Sequence, residues 1–414
     1  MAPLPVSVIV VSRHRPAELA RCLTGLSRLA YDLFEVVVVA CPQGAEVVRR
    51  SALATEAKLV EFDRANISVA RNRGVAVAAG EIVAFIDDDA VPETAWLTHL
   101  ARPFAQDRVA AATGFVRGRN GITFQSRAAA ITPTGDTVPL EVDPQRTTLL
   151  TGAPGRGIKT VGTNMAFRRS ELARIGGFDP AFAFYLDEAD VNMRLARAGA
   201  VTAVVPLAEV HHGYAASALR RADRTPRDLY EIGASLSAFL LRHCPQDSRD
   251  GARARFRAER RRWLLEHMVT GRLDPAGVRR LLRRLDHGLA QGLMRPGDTL
   301  PPIPHPPGWF RPVPPRLRGA PVVLRTKPFR RHAIRAQARA LARQGRPVTL
   351  LDFSLSALFH KVSMEAETGL WRQAGGLWGR SDRSDRLLRL WTPAARQRRE
   401  LARITRQRWN REDA

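Results

Sequence analysis

The sequence has few cysteines, few lysines and no long apolar run. Its three cysteines, Cys22, Cys41 and Cys244, are far apart and lack metal-site spacing, so we expect buried thiols in a reducing compartment, not a disulfide framework. No stretch approaches the ~18 apolar residues of a membrane-spanning helix. The chain enters a strand pattern at once, so no signal peptide is expected. Together these absences predict a cytoplasmic protein.

The positive charge of the chain lies almost entirely in its second half. The net charge is +25; residues 1–214 carry 23 basic and 22 acidic side chains, whereas residues 215–414 carry 42 and 18. A region this basic is expected to attract polyanions such as anionic lipid, nucleic acid or an acidic glycan. Only four of the 65 basic residues are lysines, so a coding bias toward arginine is an alternative explanation of part of the excess.

Strand and helix patterns alternate through the first 214 residues. Strand patterns fall at 6–11, 34–40, 58–62, 82–86, 110–117, 162–169 and 201–205, and helix patterns at 16–29, 46–57, 68–79, 92–104 and 187–198. Because the strands are apolar on both faces, we expect an α/β fold with a parallel sheet covered by helices. Residues 118–160 are polar and weakly patterned, which predicts a long functional or mobile loop.

The second half divides into three parts by composition. Helix patterns at 228–243, 252–270 and 275–293 set arginines against a Leu/Trp/Phe stripe, and residues 295–320 are rich in proline. A β-α-β pattern over 322–351 and an Arg-rich helical tail from 380 follow. We therefore predict four segments: a domain over 1–214, a basic helical extension over 215–294, a linker or surface strap over 295–320, and a small α/β unit with a helical tail over 321–414.

Three consecutive aspartates, Asp87, Asp88 and Asp89, end the apolar run 82–86. Adjacent carboxylates repel one another, and a hard divalent cation bound by oxygen commonly offsets that repulsion. Mg²⁺ takes only one or two protein carboxylates and completes its shell with substrate phosphates. The aspartates therefore indicate a metal–nucleotide site at the carboxyl edge of the sheet, with a solvated acidic loop as the alternative.

Several segments in the same order resemble the family 2 glycosyltransferases, which have the Rossmann-like GT-A fold of nucleotide-diphospho-sugar transferases. The segments are VIVVSRHRP (8–16), ARNRG (70–74), FIDDD (85–89), GTNMAFRR (162–169), GGFD (176–179) and DEAD (187–190). The resemblance covers about residues 5–214 and implies a GT-A domain followed by a mostly helical, basic C-terminal region. It further implies a metal-dependent, inverting transfer of a sugar from a nucleotide-sugar donor to a glycan, lipid-linked or small-molecule hydroxyl, as in polysaccharide biosynthesis.

The resemblance also assigns roles to individual residues. It implies that Asp89, Asp87 and His211 hold Mg²⁺ or Mn²⁺, with a structural histidine as the alternative for His211. Donor binding is implied for Ser12, Arg15, Arg71, Asn72, Asp87, Asp88, Gly162, Thr163 and Asn164. Glu188 is implied as the base that takes the proton of the acceptor hydroxyl, with Asp187 and Asp190 as supports, and Asp187 is the alternative base. The pair Gly176–Gly177 is interpreted as a turn with positive φ.

One departure from the family pattern concerns the donor nucleotide. The second strand usually ends in an acidic residue that holds the base, but here it ends Val39-Ala40-Cys41-Pro42 without a carboxylate. UDP, GDP and dTDP therefore all stay open.

The Arg-bearing helices of the basic second half are interpreted as a peripheral contact with anionic membrane at the inner face, with a solvated basic surface as the alternative. Two other functions are weighed: a nucleotidyltransferase on the same scaffold, and a non-enzymatic basic nucleic-acid-binding or scaffold protein. The first lacks a Gly-rich, Lys-bearing phosphate loop, and the second lacks a nucleic-acid-binding module, so no specific nucleic acid is expected.

Overall fold

The computed structural model describes residues 3–295, 297, 299–306 and 308–409. The helices are α1 (Pro16–Leu26), α2 (Pro42–Arg49), α3 (Ile67–Val77), α4 (Trp96–Ala101), α5 (Arg169–Arg174), α6 (Asp187–Arg197), α7 (Tyr230–His243), α8 (Gln246–Val269), α9 (Pro275–Gly292), α10 (Arg331–Arg343) and α11 (Pro393–Trp409). Short 3₁₀ turns follow α4 at Arg102–Ala105 and precede α10 at Pro328–Arg330. Residues 296, 298 and 307 of the predicted linker and residues 410–414 of the predicted tail lie outside the described ranges.

The strands form three sheets. They are β1 (Val6–Ser12), β2 (Phe34–Ala40), β3 (Lys58–Glu61), β4 (Ile82–Asp87), β5 (Ala90–Pro92), β6 (Val109–Arg117), β7 (Phe124–Ser126), β8 (Ala129–Ile131), β9 (Thr137–Pro139), β10 (Thr148–Thr151), β11 (Gly157–Ile158), β12 (Met165–Arg168), β13 (Val201–His212), β14 (Val322–Arg325), β15 (Val348–Ser354), β16 (Lys361–Met364) and β17 (Trp371–Gly376).

The main sheet has ten strands and is mixed, so the prediction of a parallel sheet holds for only part of it. Its order is β10-β13-β6-β12-β4-β1-β2-β3, with β5 beside β13 and β7 beside β6. Strands β3, β2, β1 and β4 run parallel, but β12 lies antiparallel between β4 and β6. A continuously apolar strand is buried on both faces, as are β1 and β2, whose valines are buried. This pattern does not indicate the direction of the strand.

The polar region 118–160 contains five short strands instead of one long loop. Of these, β8, β9 and β11 form a separate three-stranded sheet, while β7 and β10 extend the main sheet. The strand predicted at 201–205 continues to His212, beyond Pro206, with a register shift between Val205 and Val210 against β6. This extension carries residues from the interior of the sheet to the edge where the aspartates lie.

The second half of the chain packs on the first through polar contacts as well as apolar ones. Helices α7, α8 and α9 bury their leucines together with Phe182 and Leu186 of the first half. The proline-rich segment runs along the sheet as a strap: the backbone N–H of Val313 donates to the carbonyl of Phe34 at 2.8 Å. No helix within the described residues is long and apolar enough to cross a membrane.

The C-terminal unit is a four-stranded sheet, β14-β15-β17-β16, with α10 connecting β14 to β15. The predicted β-α-β pattern is thus present, and β16 and β17 add two strands that the pattern did not show. Helix α11 then returns to the first domain, where Arg408 pairs with the buried Glu93 at 2.6 Å. A buried ion pair of this kind fixes the position of one element against another.

Candidate active site

The predicted site residues gather at one edge of the main sheet. Ser12 ends β1 and Asp87 ends β4, and these neighbouring parallel strands place their carboxyl ends side by side. The antiparallel β12 brings the preceding loop, with Gly162 and Thr163, to the same edge, because Met165 pairs with Phe85. Ligands of open α/β sheets bind at this kind of edge.

Two of the three aspartates form a cluster with a histidine from the end of β13. Ligand atoms of Asp87, Asp89 and His212 all lie within 4.8 Å of one another. Two carboxylate oxygens and one imidazole nitrogen form a group that could hold a divalent cation when a substrate oxygen completes the shell. Asp87 is the most exposed of the three side chains, at 28%, and so is the most accessible of them to a substrate.

The side chain of Asp88, unlike that of Asp87, points into the protein. Its side chain is fully buried, and Arg15 Nη2 lies 2.7 Å from its Oδ1 atom. Burial raises the pKa of Asp88 to about 7, against the opposing effect of the Arg15 guanidinium. The structure therefore directs Asp88 toward Arg15, and the proposed donor contact of this aspartate stays a prediction.

Asp89 is held as a carboxylate. Burial by itself raises its pKa, but the hydrogen bond and charge of His212, with Arg15, lower the pKa below the ordinary value. The His212 Nε2 atom lies 3.1 Å from Asp89 Oδ1, and the N–H of Ala215 donates to Oδ2 at 2.8 Å. An ionised oxygen is thus available at the cluster.

His212 stands where the sequence prediction placed His211. In β13 consecutive side chains face opposite sides, and His211 accordingly lies with Glu93 and Glu209, its Nε2 atom 2.8 Å from Glu93 Oε1. Its ring also packs on Trp371, with ring centroids 4.8 Å apart. The structure therefore places His211 in a different group from Asp87 and Asp89, and its role as a metal ligand stays a prediction.

Arg71 connects the aspartates to the acidic helix α6. Its guanidinium forms an ion pair with Asp187 and lies 3.7 Å from Asp87 Oδ1. A side chain at position 162 would place its Cβ atom 2.7 Å from Arg71 Nη2, so Gly162 leaves the room that the guanidinium needs. Arg71 also lies over the ring of Phe178, 5.2 Å from its centroid.

The side chains of Thr163, Asn164 and Asn72 all make contacts within the protein. Thr163 Oγ1 donates to Asp87 Oδ2 at 2.5 Å and orients that carboxylate. Asn164 is fully buried: it accepts from Trp96 Nε1 at 2.8 Å and donates to two backbone carbonyls. Asn72 exchanges two hydrogen bonds with the backbone of Phe178. These residues position the site, and direct donor contact by Asn72 and Asn164 stays a prediction.

The three acidic residues of α6 have different surroundings. Asp187 is buried against Arg71, and burial raises its pKa. Asp190 is also buried, but Arg194 and His243 outweigh the effect of burial and lower its pKa. Glu188 is only partly buried. The partly exposed carboxylate at the start of α6 is therefore Glu188, flanked by two buried ones. Gly176 and Gly177 form the turn that ends α5, and both have positive φ as predicted.

Two charged groups at this edge were not found by the sequence analysis. Asp63, just past β3, accepts from Arg13 Nε at 2.8 Å and lies 3.4 Å from His14 Nε2, beside the carboxylate-free end of β2. Arg220, in the weakly patterned segment after β13, has a pKa lowered by burial and is attracted by Asp89 and Asp87. Neither residue belongs to a sequence motif, because each comes close to the aspartates only when the chain is folded.

A family model described as "Glycosyltransferase like family 2" matches residues 3–229, which is more than half of the chain. The chain therefore belongs to this family of glycosyltransferases, and the resemblance drawn from residues 5–214 is confirmed. No curated protein matches the chain.

Several solved structures are similar to this chain. The mannosyltransferase PcManGT from Pyrobaculum calidifontis, in complex with GDP-Man and Mn²⁺, is 19% identical, with 71% of this chain and 88% of that chain covered and a TM-score of 0.43. GalNAc-T7 with UDP, GalNAc and Mn²⁺ is 18% identical, at 51% and 43% coverage and a TM-score of 0.42. S. aureus TarS is 18% identical, at 61% and 43% coverage and a TM-score of 0.41. The chain thus spans less than half the length of the latter two.

Proposed function

We propose that this glycosyltransferase is metal-dependent and inverting, and that it transfers a sugar from a nucleoside diphosphate to a hydroxyl in a single displacement. The observation that carries the proposal is the arrangement around Arg71. One guanidinium links the carboxylate that is most accessible to a substrate, Asp87, to the start of the acidic helix, Asp187. The proposed donor site and the proposed catalytic base therefore lie at the same edge of the sheet.

The residues proposed to hold Mg²⁺ or Mn²⁺ are Asp87, Asp89 and His212. Their mutual distances and their mix of oxygen and nitrogen atoms fit either ion. When bound, the ion neutralises the charge that develops on the departing diphosphate. Arg15 and Arg220 lie near Asp87 and Asp89 and supply positive charge to the same diphosphate.

Glu188 is proposed as the base. It accepts the proton of the acceptor hydroxyl while the new carbon–oxygen bond forms and the sugar–phosphate bond breaks, so that the nucleoside diphosphate departs with the electron pair. Asp187 is a less suitable base because its carboxylate is already engaged by Arg71. A single displacement on the face opposite to the leaving group inverts the configuration at the sugar carbon.

The acceptor is proposed to enter a cavity of about 590 Å³ that reaches Arg15 on one side and Phe184, four residues before Glu188, on another. Its wall combines apolar side chains with arginines; among them are Leu219, Ile232, Trp263 and Arg220. An aromatic wall beside charged groups suits a glycan or lipid-linked acceptor, which presents apolar ring faces or a chain together with hydroxyl or phosphate groups.

The nucleobase is proposed to lie between the ends of β1 and β3. Asp63 supplies there the carboxylate that the end of β2 lacks, held by Arg13 and His14. A carboxylate accepts hydrogen bonds from the ring N–H groups of uracil, thymine and guanine alike. UDP, GDP and dTDP sugars are therefore the donors to screen.

The test is a donor screen with the purified chain. UDP-, GDP- and dTDP-sugars are incubated with Mn²⁺ or Mg²⁺, with and without EDTA, and the released nucleotide is identified by chromatography. We expect slow hydrolysis of one donor to nucleoside diphosphate and free sugar, abolished by EDTA. Hydrolysis undiminished in EDTA contradicts metal dependence, and release of pyrophosphate would instead indicate a nucleotidyltransferase.

A further inference from the structure

The carboxyl edge of the C-terminal sheet exposes large apolar side chains. Phe329, after β14, is fully exposed. Leu355, Leu358 and Phe359, in the segment after β15, are 64–67% exposed. Because β14, β15 and β17 are parallel, the segments that follow them lie at the same end of the sheet. We call these four side chains and the arginines described next the C-terminal edge surface.

The segment after β15 has a fixed conformation. The N–H of Gly376 donates to the carbonyl of Leu358 at 2.8 Å, and the N–H of Leu377 donates to Ser354 at 2.8 Å. Trp378 donates similarly to Ser356. Backbone hydrogen bonds thus hold Leu355 and Leu358 outward, so their exposure is built into the unit.

Three arginines surround one buried carboxylate at this edge. Asp352 of β15 is fully buried and accepts from Arg331 Nε at 2.9 Å, Arg335 Nε at 3.0 Å and Arg372 Nε at 2.9 Å. Three guanidinium groups against one carboxylate leave a net charge of +2. About a third of each arginine side chain stays exposed.

The arginines keep donors for a ligand. Within the described chain, Arg331 uses only Nε, so both of its Nη groups have no partner. Asp352 therefore orients the three side chains without saturating them. Guanidinium groups arranged around a point bind the oxygens of a phosphate in the bidentate geometry that this group favours.

We propose that the C-terminal edge surface docks on a bilayer of anionic phospholipids. The arginines around Asp352 bind phosphate headgroups, and Phe329 and Leu355 insert beside them into the interfacial layer. Positive charge next to exposed aromatic and aliphatic side chains is the combination that a bilayer of this charge complements. Free phosphate or nucleic acid would use the arginines alone and leave the apolar side chains exposed to water.

The structure favours this surface over the basic helices, where the sequence analysis placed the membrane contact. On α8 and α9 several arginines are already paired, among them Arg255 with Asp136 and Arg257 with Asp286. The exposed large apolar residue of α8 is Val269, which is 83% exposed. A charge without a neighbouring apolar group gives a weaker and more salt-sensitive attachment.

The test is cosedimentation of the full chain with vesicles, which needs neither donor nor acceptor. Phosphatidylcholine vesicles with and without phosphatidylglycerol are compared at ~150 mM salt. We expect binding only with phosphatidylglycerol. Arg331→Ala should weaken it about fivefold, as expected for one basic residue at such a surface. The pair Phe329→Glu and Leu355→Glu should weaken it tenfold or more, because it removes insertion and adds negative charge.

The first control is Val269→Glu, an apolar site on α8 whose exposure lies between those of Leu355 and Phe329. The second is the pair Arg261→Ala and Arg262→Ala, two exposed residues of the same helix. Both should bind as the unchanged protein does. The proposal is overturned if the unchanged protein fails to bind the charged vesicles, or if the α8 variants lose binding while the Phe329 and Leu355 pair retains it. A dimer that the Phe329 and Leu355 pair dissociates, without vesicle binding, would assign the surface to a second copy.

Discussion

Arg71 forms an ion pair with Asp187 and lies 3.7 Å from Asp87, so one guanidinium connects the carboxyl edge of the main sheet to the acidic helix α6. Its own position is fixed by the ring of Phe178 and by the space that Gly162 leaves. The pairing occupies Asp187 and leaves its neighbour Glu188 as the partly exposed carboxylate. This division of roles leads to the first prediction.

Replacing Glu188 by Gln should lower turnover about 10²–10⁴-fold and preserve binding. The loss is that of a general base, whereas the donor diphosphate is proposed to contact other residues. Release of nucleoside diphosphate and calorimetric binding of the same donor with Mn²⁺ are measured side by side. The control is Glu46→Gln on α2, where the side chain pairs with Arg50 at the surface. A larger loss of rate in Asp187→Asn, with unchanged thermal unfolding, would move the base to Asp187.

Substitutions of the two adjacent histidines, His211 and His212, should have different effects on the affinity for Mn²⁺. His212→Ala should lower the affinity for Mn²⁺ about tenfold or more, because the side chain belongs to the cluster with Asp87 and Asp89. His211→Ala should leave that affinity unchanged and reduce stability, since it removes a contact with the buried Glu93. Free Mn²⁺ is counted by electron paramagnetic resonance. Equal affinities in the two variants would exclude His212 as a ligand.

The main effect of replacing Asn164 is predicted to be a loss of folding stability. Asn164→Ala leaves the Trp96 indole N–H and the carbonyls of Phe115 and Ala208 without a partner in the core. At about 1 kcal/mol or more for each buried group, the free energy of unfolding should fall by about 3 kcal/mol. Urea denaturation measures this. Thr163→Val, which removes one bond to Asp87, serves for comparison and should cost less than half as much.

The C-terminal unit should lose stability in acid through Glu400. Burial alone raises the pKa of this carboxyl, but Arg403 and the hydroxyl of Ser381 outweigh it and lower the pKa to about 2. A depressed pKa stabilises the folded state above the unfolded value, near ~4.3, and the contribution disappears as pH falls toward 2. The gain at neutral pH is about 3 kcal/mol.

The pH dependence of the free energy of unfolding tests whether Glu400 stabilises the folded state above its unfolded pKa. Glu400→Gln should lower the free energy of unfolding at pH 7 and flatten its decline between about pH 4.5 and 2. The exposed Glu367→Gln is the matched control and should keep the original curve. An unchanged acid limb in Glu400→Gln would show that other groups govern acid unfolding.

The sequence predicted the parts of the fold that burial alone determines. The valine runs of β1 and β2 and the apolar run before Asp87 are strands within about one residue of the predicted bounds, because a two-sided buried strand has a continuous apolar signature. The helix predicted at 46–57 instead occupies Pro42–Arg49, since proline is favoured in the first turn of a helix.

What the sequence could not supply depends on pairing between distant segments. The direction of β12 and the extension of β13 past Pro206 are set by their neighbours in the sheet. The choice between His211 and His212 follows from a register shift near Val205, which reverses the side that each residue faces. Asp63 likewise reaches the site only because β3 lies beside β2.

The most direct test of the account compares the unchanged chain with Asp89→Asn in metal-dependent donor hydrolysis. Loss of a carboxylate that contacts the ion should reduce Mn²⁺-dependent release of nucleoside diphosphate by about 10²-fold or more. The exposed Asp107→Asn, at the surface after α4, should behave as the unchanged chain. Undiminished, EDTA-sensitive hydrolysis in folded Asp89→Asn would contradict the assignment of the metal to this cluster.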